Sequence, residues 1–231
     1  MATYIISDIH GEYDLFVKLL SSVNFSDKDT LFICGDIIDK GNDSIRLVKH
    51  IMKRPNIKAI QGNHEYYFLS FYESAMREVG DNEDYNKVLE KLQSFFPEDK
   101  EKLTWEVVDY IESLPYFIEM DNFICVHAGV KISEENRILP LTYKDYKNYL
   151  FDRSFKEGNV NPKNSKTVFF GHTPTSYKNN SGEIIKTLMP NLRKGYSLQD
   201  YSKVWLDTGV YLTKMLGMIR IEDMQEFYCS K

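Results

Sequence analysis

Thr30-Leu31-Phe32-Ile33-Cys34 followed by Gly35-Asp36-Ile37-Ile38-Asp39-Lys40-Gly41 is the stretch that decides how the chain folds. A short β-branched and aromatic run that stops at a glycine and two carboxylates reads as a buried strand whose C-terminal end delivers Asp36 into a loop. The arrangement recurs four times. Thr3-Tyr4-Ile5-Ile6-Ser7 leads to Asp8, His10 and Gly11, and Ile57-Lys58-Ala59-Ile60 leads to Gly62-Asn63-His64-Glu65. Phe123-Ile124-Cys125-Val126 leads to His127 and Gly129, and Thr167-Val168-Phe169-Phe170 leads to Gly171-His172-Thr173. In an α/β sheet the C-terminal strand edge is where ligands bind, and five such edges here offer polar side chains.

Those side chains are two carboxylates, one amide and three imidazoles: Asp8, His10, Asp36, Asn63, His127 and His172. Mixed nitrogen and oxygen donors without thiolate suit Mn, Fe or Zn. Six ligands exceed one tetrahedral site and match two divalent metal ions that share a carboxylate. Asp36 is the natural bridge, because it lies on the central run between the Asp8/His10 group and the Asn63/His127/His172 group. Of the five histidines, His10, His64, His127 and His172 stand within two residues of a glycine at a strand end. His50 lies apart, on a helical stretch with charged neighbours.

At 231 residues the chain is long enough for one domain that buries about 70% of its unfolded surface. A net charge of -5, without a basic block, leaves no electrostatic footprint for nucleic acid. An anionic substrate stays open, since two divalent ions outweigh the carboxylates that hold them. Three cysteines, two of them inside apolar strand runs, argue against a disulfide framework. No run approaches a membrane span and the first strand begins at once, so the expectation is a cytoplasmic protein without a membrane partner.

Around these strands, Leu15, Phe16, Leu19, Leu20 and Val23 recur at helical spacing. Ser44 reads as the cap of a helix carrying Ile45, Val48, Ile51 and Met52, which ends before Pro55. Glu65 to Leu114 reads as three helices divided at Gly80-Asp81-Asn82 and Phe96-Pro97, with aromatic stripes in the core. Thr142 with Asp145 reads as an N-cap of a helix through Leu150. Asn179-Asn180-Ser181-Gly182 reads as a turn between strands, within a decorated hairpin or a substrate-selecting loop over 173–203. Val204 to Leu206, Lys214 to Ile221 and Glu226 to Cys229 read as closing strands. The expected fold is α/β, with two mixed β-sheets packed face to face and helices outside.

In order, Asp8-Ile9-His10-Gly11, Gly35 to Gly41, Gly62-Asn63-His64-Glu65, His127-Ala128-Gly129 and Gly171-His172-Thr173 resemble the motifs of the phosphoprotein phosphatase family of calcineurin-like metallophosphoesterases. Leu206-Asp207-Thr208-Gly209 is similar to that family's closing motif. The family includes bacterial and phage serine/threonine phosphatases and the diadenosine tetraphosphatases. The resemblance implies a four-layer αββα metallophosphoesterase fold, and the chain is expected to form one domain over 1–231 with a mostly helical insertion at about 66–118. It gives Asp8 and His10 to one metal, Asn63, His127 and His172 to the other, and Asp36 to both, with Mn favoured over Fe or Zn. His64 resembles the general acid and Asp39 the carboxylate that orients it. Lys40 and Arg153 stand where phosphate-binding groups are expected, although the family has arginine in place of Lys40. The phosphatases also have arginine in place of Gln61.

The resulting expectation is a phosphomonoesterase in which hydroxide, generated between two metals, attacks phosphorus in line. Its substrate would be a phosphoserine or phosphothreonine protein or a small phosphoester. The first alternative is a symmetrical diadenosine tetraphosphate hydrolase, which suits Gln61, whereas Asp39 matches the phosphatase branch. An alternative of another class is a catalytically silent phosphate-binding module.

Overall fold

The computed structural model describes residues 1–79, 85–160 and 166–231, so the expected break at Gly80-Asp81-Asn82 lies outside the described residues. In chain order the strands are β1 (Thr3–Ile6), β2 (Thr30–Ile33), β3 (Ile57–Ala59), β4 (Phe117–Glu119), β5 (Phe123–Val126), β6 (Thr167–Phe170), β7 (Ile185–Leu188), β8 (Tyr201–Trp205), β9 (Met215–Arg220) and β10 (Gln225–Ser230). The helices are α1 (Tyr13–Ser22), α2 (Ser44–Met52), α3 (Asn63–Val79), α4 (Tyr85–Gln93), α5 (Trp105–Ser113), α6 (Tyr146–Phe151), α7 (Ser176–Asn179) and α8 (Val210–Thr213). Among the described residues the strands form two five-stranded mixed sheets, ordered β10-β9-β1-β2-β3 and β4-β5-β6-β8-β7. In the first sheet β1, β2 and β3 run parallel, and in the second β5, β6 and β8 do.

Alternation along each strand explains the layers. Ile5, Phe32 and Ile219 point between the sheets and meet Phe123, Phe169 and Val204 from the other side. Phe32 and Phe123 touch edge to face at 5.3 Å, as do Phe123 and Phe169 at 5.8 Å. The intervening residues Ile6, Leu31 and Ile33 face outward onto Phe16 and Leu19 of α1 and Val48 and Ile51 of α2. On the second sheet Val168, Phe170 and Trp205 face Tyr149 and Phe155. Strands buried on both faces are nearly continuous in hydrophobicity and rigid. Truncating Phe169, which is wholly buried, would cost about 3–5 kcal/mol and loosen the strand end that carries His172.

Several local expectations are corrected. Ser44 is the first residue of α2, with Asp43 as its cap, because the Ser44 hydroxyl is engaged by the Asp39 amide at 3.1 Å. Thr142 opens a 3-10 turn over Tyr143–Asp145 that leads into α6, and its hydroxyl meets the Asp145 carboxylate instead of a helix amide. The turn at Asn179 to Gly182 joins α7 to β7 instead of two strands, with Asn180 left-handed at φ 58° closing the short helix. Helix α3 begins at Asn63, which places Asn63 and His64 in its first turn. Among the described residues no helix is long and apolar enough to cross a membrane.

Candidate metal centre and active site

The parallel strands bring the predicted residues together. Asp8 and His10 follow β1, Asp36 follows β2, Asn63 and His64 open α3 after β3, His127 follows β5 and His172 follows β6. The loops are laced by backbone hydrogen bonds, His10 N to Asp36 O at 2.9 Å and Gly171 N to His127 O at 2.7 Å. Asp8, His10, Asp36 and His172 all adopt positive φ, between 49° and 69°. Left-handed backbone costs a non-glycine residue about 1 kcal/mol or more and clusters where a site dictates the geometry. Gly62 and Gly171 are required by close approach: a Cβ on the first would collide with the Asp36 carboxylate, and on the second with that of Asp8.

The donor atoms converge in a way that fits cations. His127 Nδ1 lies 2.9 Å from the Cys34 carbonyl oxygen, so Nδ1 carries the proton and Nε2 presents a lone pair. That lone pair faces Asn63 Oδ1 at 2.9 Å, with Asp36 Oδ1 at 3.4 Å. His10 repeats the pattern, with Nδ1 at 3.1 Å from the Ile38 carbonyl oxygen and Nε2 at 3.7 Å from Asp36 Oδ2. His172 Nδ1 is 2.7 Å from Asn63 Oδ1, and its Nε2 is buried without a partner among the described residues. At His127 the facing lone pairs of Nε2 and Asn63 Oδ1 have no donor between them, which is unfavourable unless a cation takes that place, and a carbonyl on the far ring nitrogen is how metal-bound imidazoles are oriented. Two groups of donor atoms, each within 4.8 Å of one another, share Asp36: His10, Asp36 and His64 form one, and Asp8, Asp36 and His127 the other. Asp8 thus falls with His127, its carboxylate turned by the His172 amide at 3.1 Å.

Electrostatics agree with that fit. Burial, then the neighbouring Asp207 and Asp36, raises Asp8 well above the ordinary carboxylate range. Burial pushes Asp36 up to about 7. Burial also lowers His10 and His127 well below the usual imidazole range, and takes His172 down to about 4 with help from the Arg153 charge. Neutral imidazoles have free lone pairs, and crowded buried carboxylates demand positive charge, so bound divalent ions satisfy both.

The remaining predicted residues surround this cluster. His64 Nδ1 lies 2.6 Å from Asp39 Oδ2, while its Nε2 faces Asp36 Oδ2 at 3.7 Å. Burial opposes a charged His64, yet the Asp39 hydrogen bond and the Asp36 charge outweigh it and raise the imidazole above its ordinary value. Asp39 itself is held down to about 2 by that hydrogen bond. Lys40 Nζ stands 2.9 Å from His10 Nε2 and 4.5 Å from the centre of the Tyr211 ring. Arg153 is exposed in the loop after α6, close enough to His172 to disfavour its charge, and among the described residues it makes no ion pair. Gln61 does not join the site, because its amide donates to the Leu114 carbonyl at 3.0 Å.

Three supporting residues were not singled out by sequence. The buried Glu65 carboxylate accepts from the amides of Asp36, Ile37, Ile38 and Gly62 at 2.7–3.0 Å, pinning the Asp36 loop to α3. Asp207 lies at the end of β8, the sixth parallel strand, beside Asp8, and burial pushes it up to about 6. The signal for it was the closing Leu206-Asp207-Thr208-Gly209. Lys203, buried on β8, donates to the carbonyls of Phe155 and Lys156 at 2.8 and 3.1 Å and also to that of Gly158, tying down the loop that carries Arg153.

A family model described as calcineurin-like phosphoesterase matches residues 1–202. The chain belongs to this family. Calcineurin-like phosphoesterases are metal-dependent phosphoric ester hydrolases, in keeping with the donor cluster. Among curated relatives, the symmetrical bis(5'-nucleosyl)-tetraphosphatase of Vibrio campbellii is 30% identical over 132 residues, 56% of this chain and 45% of that one. Its counterpart in Buchnera aphidicola subsp. Acyrthosiphon pisum is 33% identical over 132 residues, with the same shares. The chain spans about half the length of the curated relatives it matches. These relatives carry the name expected as the first alternative, and none of them is named a serine/threonine phosphatase. Among solved structures, a proposed diadenosine tetraphosphatase superposes with a TM-score of 0.65 at 18% identity, over 99% of this chain and 92% of that one. A cold-active protein-tyrosine phosphatase of Shewanella sp. does so at 0.56 and 16%, over 97% and 78%. Likeness at such identities shows the shared calcineurin-like fold alone.

Proposed function

We propose that the chain is a dinuclear metal-dependent hydrolase that cleaves the phosphoanhydride of a dinucleoside polyphosphate. The observation that carries the dinuclear reading is Asp36, whose Oδ1 faces His127 Nε2 at 3.4 Å while its Oδ2 faces His10 Nε2 at 3.7 Å. Asp8, His10, Asn63, His127 and His172 complete the ligands, and Mn suits this oxygen and nitrogen set. When bound, two such ions supply a water nucleophile at neutral pH and neutralise the phosphate charge. Lys40 and Arg153 then bind phosphate oxygens from the rim. The names of the curated relatives support the anhydride as substrate.

A second reading, hydrolysis of a phosphomonoester, is favoured by the His64–Asp39 pair. Asp39 accepts from Nδ1, so Nε2 of the imidazolium holds the proton that a departing alkoxide needs. A phosphate leaving group is stable as an anion and has little need of it. The test is a panel with Mn: diadenosine tetraphosphate, a phosphoserine peptide and nitrophenyl phosphate. Diadenosine tetraphosphate turned over fastest, with ADP as the nucleotide product, is the expected result. Faster turnover of the peptide overturns the anhydride reading in favour of the second.

A further inference from the structure

His10 and His64 stand edge to face at 4.8 Å within the candidate centre. Each ring has a tyrosine beyond it: Tyr211 lies 6.4 Å from His10 and Tyr67 lies 6.1 Å from His64. Among the described residues the ring contacts pair Tyr211 with His10 and Tyr67 with His64, so each histidine of the pair has its own phenol ring beside it. The two tyrosines come from distant parts of the chain, α3 and α8, and they remain 50% and 38% exposed for Tyr67 and Tyr211 respectively. Each also touches a further aromatic side chain. Tyr67 leans on Phe151 at 5.9 Å, and Tyr211 is hydrogen-bonded to Tyr177.

We propose that Tyr67 and Tyr211 are stacking platforms for nucleobases, one toward each end of the phosphate chain of a dinucleoside polyphosphate; this rests on the reading of the centre as a site for that substrate. An exposed aromatic face next to a phosphate site offers sequence-tolerant base stacking, worth about tenfold in affinity per base. A tyrosine has few rotatable bonds, so its ring loses little entropy when a base settles on it. The pairing of the platforms matches the ligand: a dinucleoside polyphosphate carries a base at each end, a phosphoserine peptide carries no ring, and a phosphotyrosine carries one ring attached to the phosphate. Lys40 lies over one face of the Tyr211 ring, so a base stacks on the other face with a cation close by.

Calorimetry with Mn-loaded protein tests this by comparing AMP with ribose 5-phosphate, which differ by the base alone. The wild type is expected to bind AMP about tenfold more tightly. In Tyr67→Ala/Tyr211→Ala the ratio of the two affinities should fall to near one, whereas Tyr67→Phe/Tyr211→Phe should retain it. A wild-type ratio near one, or a ratio that survives the double alanine substitution, overturns the platforms. So does a preference for O-phosphotyrosine over O-phosphoserine that depends on the same two rings without any preference for AMP. A protein that keeps the AMP preference yet fails to hydrolyse diadenosine tetraphosphate retains the platforms and refutes the proposed reaction.

Discussion

The His64 imidazole reaches the Asp39 carboxylate across 2.6 Å and thereby joins the first turn of α3 to the loop that follows β2. Because Asp39 stays ionised and accepts from Nδ1, the other ring nitrogen is the one that can release a proton toward the site. His64→Ala should therefore lose about 10²- to 10⁴-fold in kcat on a phosphoserine peptide, and clearly less on diadenosine tetraphosphate or nitrophenyl phosphate. Metal content should be retained. Equal losses on all three substrates, read from kcat, would give His64 a different role.

Lys40 meets the rim of the site as a point charge where a guanidinium would offer a planar fork. Lys40→Ala is expected to raise KM for the phosphorylated substrate, and Lys40→Arg to restore or improve it. An unchanged kcat/KM in the alanine variant removes the residue from the phosphate clamp.

Glu65→Gln replaces a carboxylate that accepts four backbone amides with a group that has one acceptor oxygen. Hydrogen bonds to a charged group contribute about 1.5–3 kcal/mol each, less the desolvation of the buried charge. A loss of about 3 kcal/mol in unfolding free energy follows, together with weaker metal retention, since the Asp36 loop is no longer pinned. Urea titration checks it, and a change within experimental error would mean the loop holds its shape without Glu65.

Lys203 gives a pH dependence. Burial pushes its ammonium down to about 8, against about 10.4 for an ordinary lysine. Between those values the unfolded chain binds more protons than the folded one, so folding stability rises with pH across that window. Lys203→Met should lack this rise while losing stability at neutral pH, because three carbonyls lose their donor. Denaturation curves of both proteins measured from pH 7 to 10.5 test the sign; parallel slopes contradict it.

How much of this was legible in the sequence differs by residue. Asp8, His10, Asp36, Asn63, His127 and His172 were readable because each follows a short apolar run, and a strand buried on both faces leaves that signature. Gly62 and Gly171 marked the same places because any side chain there would strike a carboxylate. Glu65 sat in a quoted motif, but its work depends on amides 27 to 29 residues earlier in the chain, which only the tertiary structure supplies. Lys203 looks like the polar member of an ordinary strand until the loop over Phe155 to Gly158 closes on it. Tyr67 belonged to an aromatic stripe expected to be core, yet a rotation of one residue along α3 separates it from the buried Phe68. Ser44 illustrates the reverse error, a capping residue whose hydroxyl tertiary contact had already engaged.

The central claim is a pair of metals held together by Asp36, and elemental analysis of Mn-loaded wild type and Asp36→Asn tests it most directly. A bridging carboxylate neutralises both ions and sets their separation, so its amide should hold them poorly. The expected result is two ions per chain in the wild type, one or none in the variant, and turnover abolished. Two ions per chain in Asp36→Asn, with activity kept, would contradict the account.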